Sequence, residues 1–195
     1  MNQQTLSIRE AIRTRRSIKN FNGQPVDQED IEAILEDAVW APNHGNRNPW
    51  RFVVASGKQY TNFLEVLREY GVPNWKELTP ENLERQMKNF TGAGAVAIVI
   101  VPEDARQKER LEDFAAASTC IQNIQLLSWD RGIGTCWKTP AFLDNPKFRE
   151  DLGVQPGERI ISMLQFGYYD EIPKARPRKP LEEIVTYYGS TNEEE

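Results

Sequence analysis

The sequence predicts an α+β fold of three layers, a small mixed or antiparallel sheet sandwiched between helices. Three observations lead there. The segment Ala93–Val101 is apolar on both faces, as a central strand covered on both sides must be. The other candidate strands are few, and helical patterns separate them along the chain. Phe114–Trp129, rich in Ala, Ile and Leu, reads as a long and mostly buried helix.

Each element has a local reason. Ser7 and Glu10 form an S-x-x-E capping box, and Ile8, Ala11 and Ile12 give the first helix one apolar face ending near Arg16. A turn at Asn22-Gly23 follows. Asp27 is placed as an N-cap, and Ile31, Ile34, Leu35, Ala38 and Val39 recur at helical spacing until Pro42 stops them. Residues 41–49, APNHGNRNP, form a polar loop ahead of a strand from Trp50 to Ala55. Gln59–Tyr70 is helical, with Phe63, Leu64, Val66, Leu67 and Tyr70 inward. Thr79-Pro80 opens another helix over 80–90. Gly132 and Gly134 are expected to end the long helix. Strands at Thr135–Lys138 and Ile160–Phe166 flank a short helix, Pro146–Leu152, and Leu181–Tyr188 forms a last amphipathic turn or two.

The chain has 195 residues, no internal repeat and no long linker. It is expected to form one domain over 1–195, with an ordered core from about 6 to 188. An acidic tail, 189–195, ends in Glu193, Glu194 and Glu195. With 29 acidic against 24 basic side chains, its net charge is −5. That balance argues against a general nucleic-acid binder or a protein held on anionic lipid. The longest apolar run has nine residues, about half of what a bilayer span needs. MNQQTLSIRE lacks the basic and apolar regions of a signal peptide. Cys120 and Cys136 make no CxxC, so a reducing cytoplasm is the expected home, and a single histidine excludes a His-rich metal site.

Charge placement is the most informative feature. Arg13, Arg15, Arg16 and Lys19 fall within seven residues, and Lys174, Arg176, Arg178 and Lys179 within six, with no acid in either segment. These eight leave 16 basic against 29 acidic side chains elsewhere, a charge of −13. Basic residues at a helix C-terminus also complement its dipole, which by itself accounts for the first cluster. The functional reading is a phosphate site. Arg15 or Arg16 would bind bidentately, Ser17 would donate its hydroxyl and Lys19 would add a point charge.

The loop Asn43-His44-Gly45-Asn46-Arg47-Asn48 can read a heterocycle edge or sugar chain by hydrogen bonds, or serve only as a polar turn. His44 has no second histidine as partner and is as readily a solvated loop residue. In Gly132-Ile133-Gly134-Thr135-Cys136-Trp137-Lys138-Thr139-Pro140, the lone GxG is weak evidence for a nucleotide site. Trp137 and Trp50 are candidate core aromatics. Lys138, inside a strand, would lie close to whatever the strand end faces.

Taken together, four segments resemble the nitroreductase family of FMN-dependent oxidoreductases, most closely its compact bacterial branch. They are TRRSIKNF at 14–21, APNHGNRNPWRF at 41–52, GIGTCWKTP at 132–140 and KARPRKPLEEIV at 174–185. The resemblance implies a nitroreductase-like fold in an intertwined homodimer, with FMN bound non-covalently at the interface. By that resemblance Arg15, Arg16, Ser17 and Lys19 hold the FMN phosphate and neighbouring flavin atoms, and Arg176 and Arg178 complete the phosphate site. Asn46 bonds the flavin or its ribityl chain, and His44 contacts the flavin of the other subunit. Trp137, Lys138 and Thr139 line the isoalloxazine, with Lys138 near N1 and O2. Asn48 stands where many members carry Gln, and Trp40 where the compact branch can carry a basic residue, so neither is counted as a contact.

The implied activity is reduction of electron-poor small molecules, such as nitroaromatics or quinones, by NADH or NADPH in two half-reactions. No separate catalytic acid or base is required. A flavin carrier or redox sensor using the same residues is the alternative. An RNA-binding module built on the two basic segments is a third.

Overall fold

The computed structural model describes residues 5–189. Among them, strands β1 (Arg51–Ser56), β2 (Ala95–Pro102), β3 (Gly134–Lys138) and β4 (Glu158–Gly167) form one sheet in the order β1-β2-β4-β3. Every pairing within it is antiparallel, so of the two expected sheet types the antiparallel one is found. The only parallel element among the described residues is an isolated bridge between Ser17 and Thr135.

Among the described residues, six α-helices flank the sheet: α1 (Ile8–Thr14), α2 (Gln28–Ala38), α3 (Gly57–Gly71), α4 (Pro80–Thr91), α5 (Gln107–Asp130) and α6 (Pro146–Asp151). The three layers follow from the period-two alternation of β2. Ala95, Ala97, Val99 and Val101 pack with Ile31, Ile34 and Ala38 of α2 and Ala117, Ile121 and Ile124 of α5. Val96, Ile98 and Ile100 point the other way, against Phe63 and Leu67 of α3, Phe90 of α4 and Phe148 of α6. Each branched or aromatic side chain so covered contributes about 1.5–3 kcal/mol. The strand apolar on both faces is therefore the floor of two cores.

Two of the three cap signals make the expected bond, whereas Asp27 stands at the N-cap of α2 without a side-chain hydrogen bond to the helix. Ser7 N–H donates to the Glu10 carboxylate at 2.9 Å and Ser7 Oγ accepts from Glu10 N–H at 3.3 Å, closing the capping box of α1. Thr79 caps α4, with Pro80 in its first turn.

Four expectations are corrected. The long helix α5 begins at Gln107, seven residues before its apolar run. Its first turns are held by Arg106–Glu109 and Lys108–Glu112 pairs, which a search for apolar residues passes over. Gly132 (φ 73°) ends that helix alone, whereas Gly134 lies inside β3. In α1 only Ala11 is buried, and Ile8 and Ile12 are 78% and 55% exposed. Over 181–188 only a single 3-10 turn forms, Leu181–Glu183, and every residue from 170 to 189 is exposed. The tail from 190 onward lies outside the described residues.

Candidate functional site

The first basic segment leaves α1 and runs along the free edge of β3. Ile18 N–H donates to the Thr135 carbonyl at 2.9 Å, and the Ile18 side chain is buried at 1% exposure. Alternation then turns Ser17 and Lys19 outward. Gly134 makes this possible, because a Cβ there would lie 2.6 Å from Ile18 Cγ1 and 2.7 Å from Tyr169 Cδ1. Gly167 does the same for Phe21, whose Cδ1 would lie 2.8 Å from an added Cβ.

The second basic segment follows β4. Tyr169 stacks on Trp129 with centroids 5.6 Å apart. Asn22 N–H donates to the Tyr168 carbonyl at 2.9 Å, and Asn22 Nδ2 donates to Asp170 at 3.1 Å. These ties deliver residues 170–178 beside residues 15–21, and the two stretches line one cleft of about 790 Å³. The sequence-predicted Arg15, Arg16, Ser17, Lys19, Arg176 and Arg178 all lie in it, together with Lys174.

The electrostatics of this cleft are unbalanced. Among the described residues, none of the eight clustered cations is in an ion pair, although Asp170 and Glu171 lie on the same wall. Nε and Nη1 of Arg15, and Nε of Arg16, are out of solvent without a hydrogen-bond partner. Arg16 Nη1 donates to the carbonyls of Arg13 and Arg15, at 2.8 and 2.9 Å. Burial, then the neighbouring charges of Arg16 and Arg178, hold the Arg15 pKa below its ordinary value. A buried donor left unbonded costs about 1–3 kcal/mol. A compact, doubly charged anion with several acceptor oxygens relieves both the repulsion and the missing bonds.

Lys138 lies at the edge of this field. It is half-buried, with Nζ 3.4 Å from the Asn89 carbonyl and 5.9 Å from the Phe90 ring centroid. Burial lowers its pKa, Cys136 opposes that, and the charge of Lys19 adds to it. Trp137 packs, partly buried, against the core between the sheet and helices α2 and α5, and Thr139 is exposed just past the strand.

His44 and Asn46 are not brought to the cleft of their own chain. They form a short 3-10 turn ahead of β1, whose first residue Arg51 pairs with Ile100. Ser17 lies beside Thr135, at the level of Phe166, Ala95 and Ser56. The two places are diagonally opposite corners of the sheet, about 17 Å apart along the strands and about 19 Å across them, four inter-strand steps.

Arg47, grouped with that loop as a reader of a heterocycle edge, is instead bound to α5. Its Nε donates to Asp113 at 2.9 Å and its Nη2 to Glu112 at 3.1 Å. The sequence reading missed this pair because it started the helix at residue 114, one residue past the acid. Lys174 also lines the cleft without having been singled out beyond its cluster.

The sequence matches the profile of the nitroreductase family over residues 12–168. It is 35% identical over 180 residues to YfhC of Bacillus subtilis strain 168, a protein provisionally named an NAD(P)H nitroreductase. That alignment covers 92% of this chain and 93% of YfhC. A crystal structure of a nitroreductase-like family protein from Bacillus cereus superposes with a TM-score of 0.82 at 32% identity, covering 96% of this chain and 98% of the other. The same fold is found in a point variant of the FMN- and NADPH-dependent nitroreductase NfnB of Sphigopyxis sp. strain HMH. There the TM-score is 0.77 at 22% identity, over 95% of this chain and all of that one.

Proposed function

The chain belongs to the nitroreductase family, and on that basis we propose that it is an FMN-dependent oxidoreductase. In this reading it uses NADH or NADPH to reduce electron-poor small molecules such as nitroaromatics or quinones. The observation that carries the reading is the set of unbonded, solvent-excluded guanidinium nitrogens of Arg15 and Arg16 in a cleft free of ion pairs. The donor set fits a phosphate monoester. Arg15 and Arg16 supply planar forks, Ser17 a hydroxyl, and Lys19, Arg176 and Arg178 further positive charge.

When bound, FMN would supply the hydride chemistry that links the nicotinamide to the acceptor. The chain's own groups bind, orient and tune. Arg15, Arg16 and Ser17 anchor the phosphate end. Lys138 does not line the cleft but is close enough to Lys19 for the two ammonium charges to act on each other, and in this reading it would stabilise negative charge on the flavin. No side chain needs to act as acid or base.

The proposed assembly is a homodimer. The corner that carries His44 and Asn46 reaches a basic cleft only if that cleft belongs to a second copy. Ile8, Ile12, Leu111 and Phe114, apolar and 48–78% exposed, offer surface for such contact. The whole chain, 1–195, would act as one domain of that dimer in the cytoplasm. Among the described residues no helix is long and apolar enough to cross a membrane.

The test is an absorbance spectrum of the purified protein before and after incubation with FMN, followed by anaerobic mixing with each nicotinamide. Bleaching of the flavin bands and their return on adding an acceptor are expected. A protein that stays colourless with FMN overturns the proposal. A flavin that binds but stays oxidised turns it into a carrier.

A further inference from the structure

The most deeply buried charge among the described residues is outside the cleft. Asp113 of α5 is 4% exposed, and no other charged side chain there is as covered. Its carboxylate faces Arg47, with Nε at 2.9 Å and Nη2 at 2.8 Å from Oδ1. Glu112 shares the same guanidinium at 3.1 Å. A buried carboxylate is tolerated only when paired and hydrogen-bonded, so this contact is built into the helix.

What it holds is an improbable piece of backbone. Gly45 (φ 62°), Asn46 (φ 52°) and Asn48 (φ 48°) are left-handed, and two of the three carry a Cβ. Arg47 lies between the two asparagines. Within the loop, Asn43 Oδ1 accepts from Asn48 N–H at 2.8 Å, and Asn48 Nδ2 donates to the Asn46 carbonyl at 3.2 Å. Among the described residues, Arg47 makes the only side-chain hydrogen bonds from 42–49 to another element of the fold. Backbone in such regions persists only where its surroundings over-determine it.

We infer that Arg47, clamped by Asp113 and Glu112, is a positioning residue that fixes the 44–48 turn in the shape presenting His44 and Asn46. It thereby sets the affinity of the assembled site for flavin. The inference rests on the flavin reading above. The clamp removes the ordering cost of the loop before the cofactor arrives, which is how preorganisation raises affinity.

The experiment titrates FMN into cofactor-free wild type, Arg47→Ala, Arg47→Lys and Asp113→Asn, recording Kd, the visible circular dichroism of the bound flavin, and Tm. Arg68→Ala, which removes an ion pair with Glu65 elsewhere on the surface, is the control. Arg47→Ala and Asp113→Asn are expected to raise Kd about tenfold or more and to change the flavin dichroism. Arg47→Lys should recover part of both, and Arg68→Ala should move neither. Variants that only lose Tm, with Kd and dichroism as in wild type, overturn the inference and leave the pair a structural one. If Arg47→Ala does not fold, Asp113→Asn decides by the same readouts. Wild type that takes up no FMN overturns the flavin reading and this inference with it. Uptake by wild type with unchanged variants overturns this inference alone.

Discussion

Arg15 and Arg178, from opposite ends of the chain, line one cleft and repel each other, although Asp170 and Glu171 lie on the same wall. Neither has an ion-pair partner among the described residues, and Arg15 has two guanidinium nitrogens shut off from water. Such an arrangement lowers the stability of the free protein and favours an anion that relieves it. Removing Arg15 should therefore have opposite effects on the two. Arg15→Met is expected to leave the cofactor-free protein as stable as wild type or more so, because an uncompensated charge goes. It should weaken FMN by about 1.5–3 kcal/mol per lost charge-assisted bond, roughly 10- to 100-fold. Thermal melts with and without FMN measure both. A variant less stable without cofactor yet equal in FMN affinity would show that Arg15 serves the fold alone.

Lys138 gives a pH test with a defined sign. Burial lowers its folded-state pKa below its unfolded value, so the protonated form is disfavoured by folding. That penalty is full below the folded pKa and fades as pH rises toward the ordinary lysine range, about 10.4. Relative to Lys138→Met, wild type should gain stability as pH rises from the lowered folded-state pKa toward the ordinary lysine range. Urea unfolding of both proteins at a series of pH values reads the difference, and a gap that widens in the other direction contradicts the assignment.

Gly134→Ala should dismantle the inner wall of the cleft. The added Cβ meets Ile18 at 2.6 and 2.9 Å, and Ile18 is too buried to move aside. Overpacking of this kind costs about 1–3 kcal/mol. Because Ile18 anchors the Arg15–Lys19 segment, FMN affinity should fall together with stability. Denaturation and FMN titration of the one variant test the link.

The two thiols should be silent in the native protein. Burial pushes Cys120 up to about 12 and also raises Cys136, and both side chains are covered. A chromogenic thiol reagent at pH 8 is expected to find none in the folded protein and two equivalents after denaturation. Rapid native reaction of one thiol would mean that helix α5 around Cys120, or strand β3 around Cys136, opens.

The proposed homodimer predicts a solution mass of twice 22.5 kDa. Ile12→Glu, at an apolar side chain 55% exposed on α1, should shift it toward the monomer and reduce FMN retention in parallel. Light scattering coupled to size exclusion measures it. A monomer with full FMN occupancy would refute the shared site.

Much of this was legible in the linear sequence because the signals are local. The capping box at Ser7 and Glu10, the Thr79-Pro80 start and the apolar stripe of Ile31, Ile34 and Ala38 each depend on residues within two helical turns. The start of α5 was not legible, since its first turns are charged and are held by side-chain pairs. Nor was the exposure of Ile8 and Ile12, because periodicity shows that a face is apolar but not what covers it.

The sequence by itself determined the layering of the fold, the two acid-free basic segments and their sum of charge. Composition and periodicity are properties of the chain alone. Only the tertiary structure decided that Arg15 and Arg178 share one cleft, that Arg47 belongs to Asp113, and that His44 and Asn46 lie at the far corner. Those facts depend on strand order and register, which bring together residues that no spacing rule connects.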